Sequence, residues 1–144
     1  MTETSPGAAV HAEPSTTRGV PGRFLSLSLT LDAVASGALG LLFAAGAGAL
    51  DPLLGIGSPW LLGLGVFLVV FAGGVRYAAA GVPTRLGPAH AVVALNVLWV
   101  AASVTAVAAG WFDLTALGAG MVLLQAAAVA LLMVLQATGL RRLS

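Results

Sequence analysis

The sequence predicts an all-α integral membrane protein, a four-helix bundle with up-down-up-down topology. Hydrophobic residues make up 59% of its 144 residues and charged residues only 8%. A mean hydropathy of +1.04 lies far outside the range of soluble globular domains. The apolar residues form four long runs separated by short segments that contain glycine or proline, and the arginines fall on one side of the resulting four-span arrangement.

The first predicted span covers residues 27–50, an apolar run that contains one carboxylate, Asp32. At about 1.5 Å of rise per residue, a helix of this length crosses a hydrocarbon core of ~30 Å. A charge near the helix centre costs roughly 2.5 to 3.5 kcal/mol on the insertion scale, so we expect this span to need partner helices. Small residues at four-residue steps from Asp32 predict a face for close helix packing: Ser36, Gly40, Ala44 and Gly48.

Residues 1–22 are rich in Thr, Ser, Pro, Gly and Ala and lack apolar periodicity, which predicts a disordered cytoplasmic tail. An alternative is a cleavable signal peptide, because residues 47–49 have the small-x-small form of a cleavage site. The long polar leader, the length of the apolar run and the presence of Asp32 within it favour the membrane span.

The other three spans are predicted over residues 59–80, 89–109 and 114–138, followed by a basic cytoplasmic end at residues 141–144. Ser58 is expected to be the N-cap of the second span, with Pro59 as its first helical residue. Helix breakers and caps set the remaining boundaries: Gly81 ends the second span, Gly87 opens the third, Gly110 ends it, Asp113 caps the fourth and Gly139 ends it.

Charge and aromatic residues predict the orientation of the bundle. By the positive-inside rule both termini are cytoplasmic, because all six arginines fall at or near one side: Arg18, Arg23, Arg76, Arg85, Arg141 and Arg142. Asp51 and Asp113 mark the opposite side, where Trp60, Trp111 and Phe112 are expected to anchor at headgroup level. The connections are short, so neighbouring helices are expected to be antiparallel.

Polar side chains from three predicted spans reach a similar depth in the membrane. A buried carboxylate and a buried guanidinium would each be costly alone, which predicts an ion pair between Asp32 and Arg76, with a further hydrogen bond from Asn96. The alternative for Arg76 is that it snorkels to the headgroups. Trp99, at mid-membrane, is expected to face the bundle beside Asn96 because its indole N–H needs a partner.

Gln125 and Gln136 lie eleven residues apart on the fourth span and therefore share a helix face. Gln125, close to the midplane, completes the predicted intramembrane polar cluster of Asp32, Arg76 and Asn96, and both glutamines are expected to hydrogen-bond between helices. Asp32 and Asn96 occupy corresponding places in spans one and three. This correspondence fits either two parallel hairpins related by duplication or a chance match between alanine-rich helices.

Composition excludes several function classes. The absence of cysteine excludes disulfides, thiolate metal ligation and thiol redox chemistry. Only one acidic group lies within the spans, and there is no motif for a metal, cofactor or nucleic acid, so we predict no enzyme activity. Two hypotheses remain: a structural or accessory protein that binds itself or a larger complex in the lipid bilayer, and a small-solute or proton-coupled transporter that uses the polar cluster.

Three stretches carry a family resemblance: LDAVASGALG in the first span, ALNVLWVAAS in the third and LQATGLRR at the end of the fourth. They resemble small, largely uncharacterised four-span membrane proteins of actinobacteria, broadly the DoxX-like group. The absence of lysine and the bias toward Ala, Gly, Leu and Arg are typical of a GC-rich bacterial genome. The resemblance implies a four-helix bundle in the bacterial cytoplasmic (inner) membrane and an accessory role in a respiratory or redox system, and it transfers no catalytic residue.

Overall fold

The computed structural model describes residues 19–144, which form four α-helices: α1 (Gly19–Leu54), α2 (Ser58–Gly81), α3 (Gly87–Ala109) and α4 (Ala116–Leu143). Each helix is long and apolar enough to cross a membrane. The predicted all-α four-helix class is therefore confirmed. Residues 19–22, predicted as part of the tail, belong to α1, and the rest of the predicted tail, including Arg18, lies outside the described residues.

The helices form a ring in which α1 packs on α2 and α4, and α3 closes the ring between α2 and α4. The ends of the helices show the antiparallel arrangement. The start of α1 lies beside the end of α4, where Leu25 faces Gly139. The end of α1 meets the start of α4, where Thr115 N–H donates to the Leu54 carbonyl at 3.2 Å. The described termini therefore lie at the same end of an up-down-up-down bundle.

Helices α1 and α2 approach each other most closely at Gly40 and Gly65. A Cβ atom on Gly65 would lie 2.5 Å from the Ala44 nitrogen and 2.7 Å from the Gly40 carbonyl oxygen, and a Cβ atom on Gly40 would lie 2.8 Å from the Gly65 carbonyl oxygen. Only glycine allows two backbones to come this close. Gly40 belongs to the predicted small-residue face of α1, and α2 is the helix that packs against it.

The predicted small-residue face does not extend to Gly48. This glycine is exposed, and a Cβ atom added to it would have no neighbour within 4 Å among the described residues. A four-residue step advances about 400° on a helix of 3.6 residues per turn, so such a stripe drifts around the axis. The buried positions of α1 instead alternate steps of three and four beyond Gly40 and continue at Phe43 and Ala47.

Helix α1 runs past its predicted end through Asp51 and Pro52 to Leu54. Pro52 lies in the last turn of α1 and only two helical residues follow it, so it does not interrupt the membrane-spanning part of the helix. Asp51 then accepts hydrogen bonds from the backbone N–H and the hydroxyl of Ser58, both at 2.8 Å. Ser58 is thus not the N-cap of α2; Gly57 has that position, and Asp51 holds the first turn from outside.

The predicted ends of the fourth span are also corrected. Thr115, not Asp113, is the N-cap of α4: its hydroxyl oxygen accepts from Gly118 N–H at 2.9 Å, and its O–H donates to the Leu53 carbonyl at 2.6 Å. Gly139 does not end α4, which continues to Leu143. The glycine instead allows close packing, because its Cβ position lies 3.0 Å from the Leu25 Cβ.

The predicted boundaries between α2 and α3 and at the end of α3 are confirmed. Helix α2 ends at Gly81 and α3 begins at Gly87. Gly110 ends α3 in the left-handed conformation with φ 65°, a conformation that glycine adopts without steric cost.

The two ends of the bundle differ in charge. The described arginines lie in the first turns of α1, in or after the last turns of α2, and at the end of α4, which is one end of the bundle: Arg23, Arg76, Arg85, Arg141 and Arg142. At the opposite end Trp60 meets Phe112 edge to face, with ring centroids 5.7 Å apart. The described arginines and these aromatic residues therefore lie at opposite ends of the bundle, as the sequence predicts.

The glycine crossing predicts a specific sensitivity to side-chain size. Gly65→Ala places a methyl group against the backbone of α1, and we expect it to lower the free energy of unfolding by about 1 to 3 kcal/mol. Gly48→Ala, on the exposed surface of α1 and without a neighbour within 4 Å in the described chain, is the control and should leave stability unchanged or slightly raised. Denaturant titration of both variants in lipid bicelles measures the difference. Equal stability of the two variants would contradict a close crossing.

Candidate functional site

The most deeply buried carboxylate of the described residues belongs to Asp32 on α1, which is 1% exposed. Its Oδ1 atom accepts a hydrogen bond from the Ser36 hydroxyl at 3.1 Å, one turn along the same helix. Its Oδ2 atom accepts from Asn96 Nδ2 on α3 at 2.8 Å and from Gln136 Nε2 on α4 at 2.7 Å. One carboxylate therefore joins three helices.

The two amides that bind Asp32 also bind each other. Asn96 Nδ2 donates to Gln136 Oε1 at 3.2 Å, so the three side chains form a closed triangle of hydrogen bonds. Asn96 is 2% exposed and Gln136 is fully buried. Both amides direct their nitrogen atoms toward Asp32 Oδ2, which accepts a hydrogen bond from each of them. In the described part of the chain no buried side-chain nitrogen or oxygen lacks a partner.

The predicted ion pair between Asp32 and Arg76 is not formed. Arg76 is exposed on α2, whereas its neighbour Val75 is fully buried and faces the core. Consecutive residues on a helix point about 100° apart, so the burial of Val75 turns Arg76 away from α1. The polar groups of Ser36, Asn96 and Gln136 bind the carboxylate in its place, and the exposed position of Arg76 fits the snorkelling alternative.

Gln125 belongs to a second polar cluster, separate from Asp32. Its Oε1 atom accepts from the indole N–H of Trp99 at 2.9 Å, and its Nε2 atom donates to the Ser103 hydroxyl oxygen at 3.2 Å. Trp99 therefore faces the bundle, as predicted, but its partner is Gln125 and not Asn96. The four residues predicted as one cluster divide into Asp32 with Asn96, Gln125 with Trp99, and an exposed Arg76.

The sequence contains a partial signal for the role of Gln136. Its spacing from Gln125 places both glutamines on one face of α4, and both do contact α3. The predicted hydrogen bonding of Gln136 between helices is confirmed, but a span that ends at residue 138 places Gln136 at the membrane boundary and gives no indication that its partner is Asp32. Because α4 continues to Leu143, Gln136 instead lies about two turns inside the helix, at the level of Asp32.

Two cavities border these polar clusters. The first, here called the Asp32 cavity, has a volume of about 100 Å³ and is lined by Asp32, Ser36 and Asn96 together with apolar and aromatic side chains such as Phe67 and Phe71. The second, here called the aromatic cavity, has a volume of about 380 Å³ and lies toward the end of the bundle marked by Trp60, Trp111 and Phe112. Trp99 and Gln125 line both cavities and so lie between them.

The arrangement provides hydrogen bonding rather than a set of ligands for a metal. In residues 19–144 no group of three or more His, Asp or Glu side chains is close enough to hold a metal ion. His90 lies at the start of α3, where its ring binds the Leu86 carbonyl at 2.9 Å on the exposed surface. The polar side chains therefore hydrogen-bond to one another within each of the two clusters.

No family model, curated protein or solved structure matches this chain. The structural class of the protein follows from its helices, because all four described helices are long and apolar enough to span a membrane. It is a small multi-pass integral membrane protein. The resemblance to the DoxX-like group stays an expectation based on the three sequence stretches.

Double-mutant cycles on unfolding free energy distinguish the observed network from the ion pair. Asp32→Ala and Gln136→Ala should be coupled by about 0.5 to 2 kcal/mol, because either substitution alone breaks the same hydrogen bond. Asp32→Ala and Arg76→Gln should be additive within about 0.5 kcal/mol. Denaturant titration in bicelles gives both cycles. Coupling to Arg76 together with additivity at Gln136 would overturn the assignment of partners.

Proposed function

We propose that this protein is a non-enzymatic structural or accessory component of a complex in the bacterial cytoplasmic membrane. The observation that carries the proposal is the closed hydrogen-bond network of Asp32. A carboxylate that binds a transported solute must exchange partners with that solute and with water. Here both oxygens of Asp32 are bound by side chains of the same chain, and the two amides also bind each other.

The network has the properties of a device that fixes helix positions. Hydrogen bonds between membrane helices contribute about 0.6 kcal/mol on average and up to ~1.7 kcal/mol, so the contacts of Asn96 and Gln136 with Asp32 stabilise the bundle modestly. Their directional geometry also fixes the rotation of α1, α3 and α4 about their axes. A rigid bundle of this kind suits a protein whose function is to present a constant surface to a partner.

The outer surface supports association with other helices. Gly63 and Gly74 lie eleven residues apart on one face of α2 and are exposed, and within residues 19–144 their Cβ positions have no neighbour closer than 4 Å. Small residues on an exposed helix face allow another backbone to approach closely in the membrane. The proposed partner is a second copy of the chain or another membrane subunit that packs on this face of α2.

A second candidate function, a small-solute or proton-coupled transporter, is favoured by one observation. The Asp32 cavity reaches the carboxylate and Asn96, and it borders the larger aromatic cavity across Trp99 and Gln125. A transport route would need water or solute to enter the Asp32 cavity and the Asp32 network to open. Access of water to this cavity therefore separates the two functions.

Ser36→Cys tests access in a chain that has no native cysteine. Ser36 is 8% exposed, lines the Asp32 cavity, and its thiol analogue has nearly the same shape. We expect no reaction in membranes with a permeant methanethiosulfonate reagent. This reagent reacts with the thiolate, and the cysteine thiol ionises only where water reaches it. Ser144→Cys is the reactive control, and Val70→Cys, which is 70% exposed on α2, is the lipid-facing control. Rapid labelling of Ser36→Cys that a small solute blocks would favour the transporter.

We also propose that both termini are cytoplasmic, in line with the arginines at that end of the bundle. In spheroplasts an impermeant maleimide should leave Ser144→Cys unlabelled until the membrane is permeabilised. Asp113→Cys, at the opposite end and exposed, should react before permeabilisation. The reverse pattern would place the termini outside.

A further inference from the structure

The aromatic cavity is large enough for a ligand. It has a volume of about 380 Å³ and is partly open, and its walls come from all four helices and both loops at the Trp60 end, including Phe43, Trp60, Trp99, Phe112 and Met121. A cavity of ~150 Å³ lined by apolar residues takes up benzene, so a cavity of this volume accommodates roughly 15 non-hydrogen atoms. Ligand sites in helical bundles commonly lie between the helices and combine apolar walls with a few polar groups.

The polar groups of the aromatic cavity lie at its inner end. Ser103 is about six residues before the end of α3 and Gln125 about nine residues after the start of α4, so both lie roughly 9 to 14 Å inside the bundle at 1.5 Å per residue. The walls between them and the Trp60 end are apolar or aromatic, and in the described part of the chain no Asp, Glu, Lys, Arg or His side chain lines the cavity. An ionic ligand would therefore find no counter-charge there.

Donor hydrogens remain available at this inner end. The amide nitrogen of Gln125 carries two hydrogens, and one of them is directed to the Ser103 oxygen. Within residues 19–144, neither the second amide hydrogen nor the hydroxyl hydrogen of Ser103 has an acceptor in a side chain or the backbone. The Gln125 carbonyl oxygen is already bound by Trp99. The unused capacity at this site consists of donors, which suits a ligand that supplies an acceptor.

We propose that the aromatic cavity binds a small uncharged lipophilic molecule that carries one hydrogen-bond acceptor, such as a ketone or ester carbonyl, placed toward Ser103 and Gln125. The apolar and aromatic walls surround the rest of the molecule. A saturated lipid tail fits less well, because its methyl end would meet the donors without satisfying them. The site does not include Asp32 and goes beyond the proposed accessory function, which does not depend on it.

Photolabelling with benzophenone tests the site in the full-length protein reconstituted in lipid nanodiscs. Benzophenone is uncharged, has the expected size and carries one carbonyl, and on irradiation it inserts into nearby C–H bonds with a preference for methionine. We expect saturable labelling of Met121, which lines the cavity, and little labelling of Met133, which lies on the same helix outside it. Non-saturable labelling, or equal labelling of both methionines, would show partition into lipid and overturn the proposal.

Matched competitors test the acceptor. Dicyclohexyl ketone and dicyclohexylmethane have nearly the same shape, but only the ketone can accept a hydrogen bond. We expect the ketone to compete with benzophenone at roughly tenfold lower concentration, the difference that one neutral hydrogen bond provides. The preference should decrease in Ser103→Ala and in Gln125→Leu. Equal competition by both compounds in the unsubstituted protein would indicate an apolar pocket for lipid tails and overturn the proposal.

A pair of substitutions on α3 tests the location independently of the polar groups. Ala106→Leu projects into the aromatic cavity, whereas Ala108→Leu lies on the exposed surface of the same helix. We expect the first to weaken benzophenone labelling of Met121 by roughly tenfold, because the added side chain occupies ligand volume, and the second to leave it unchanged. Equal labelling in both variants, with unchanged unfolding transitions, would overturn the proposed location.

Discussion

The burial of one carboxylate constrains the rest of this bundle. Asp32 is 1% exposed within an apolar helix, so its oxygens need hydrogen-bond donors from other parts of the protein. Ser36 supplies one donor from the same helix, and Asn96 and Gln136 supply the others from α3 and α4. Each of these helices must therefore present one particular face at one particular depth, which excludes many alternative packings of four apolar helices.

The two halves of the bundle are held together in different ways. Helices α1 and α2 pack backbone to backbone at Gly40 and Gly65, so dispersion between closely spaced atoms stabilises them. Helices α3 and α4 have few buried residues and are joined through polar side chains, at Asn96 with Gln136 and at Trp99 and Ser103 with Gln125. Lipid tails are as apolar as leucine, so the hydrophobic effect does not drive helix association here. A purely apolar interface between α3 and α4 would not select one packing arrangement, and these hydrogen bonds do.

The number and approximate position of the helices could be predicted from the sequence because they depend on local properties. Apolar length determines whether a helix spans the membrane, and Gly110 ends α3 because of its own backbone freedom. The boundaries that were predicted wrongly depend on contacts between helices. Thr115 caps α4 while its hydroxyl binds the end of α1, and Gly139 lies inside α4 where Leu25 packs against it. Neither contact can be read from the residues beside it in sequence.

The polar site was predictable only in part: Asp32 and Asn96 were predicted members, whereas Ser36 and Gln136 were not. Asp32 and Asn96 meet as the sequence predicts, but formal charge favours Arg76 as the partner of Asp32, and that prediction is wrong. The direction of a side chain decides the partner, and the burial of Val75 turns Arg76 outward. Gln136 binds Asp32 in the place predicted for Arg76, because α4 continues to Leu143, beyond the end predicted at residue 138.

The spacing of the two glutamines links the Asp32 network to the aromatic cavity. Gln125 and Gln136 are eleven residues apart, about three turns, so a rotation of α4 that released one would also displace the other. Gln136 holds the Asp32 network, while Gln125 holds Trp99 between the two cavities. The same rotation of α4 that satisfies the buried carboxylate therefore also positions the Gln125 amide at the aromatic cavity. A ligand in that cavity would bind a surface whose geometry is fixed by a carboxylate it does not touch.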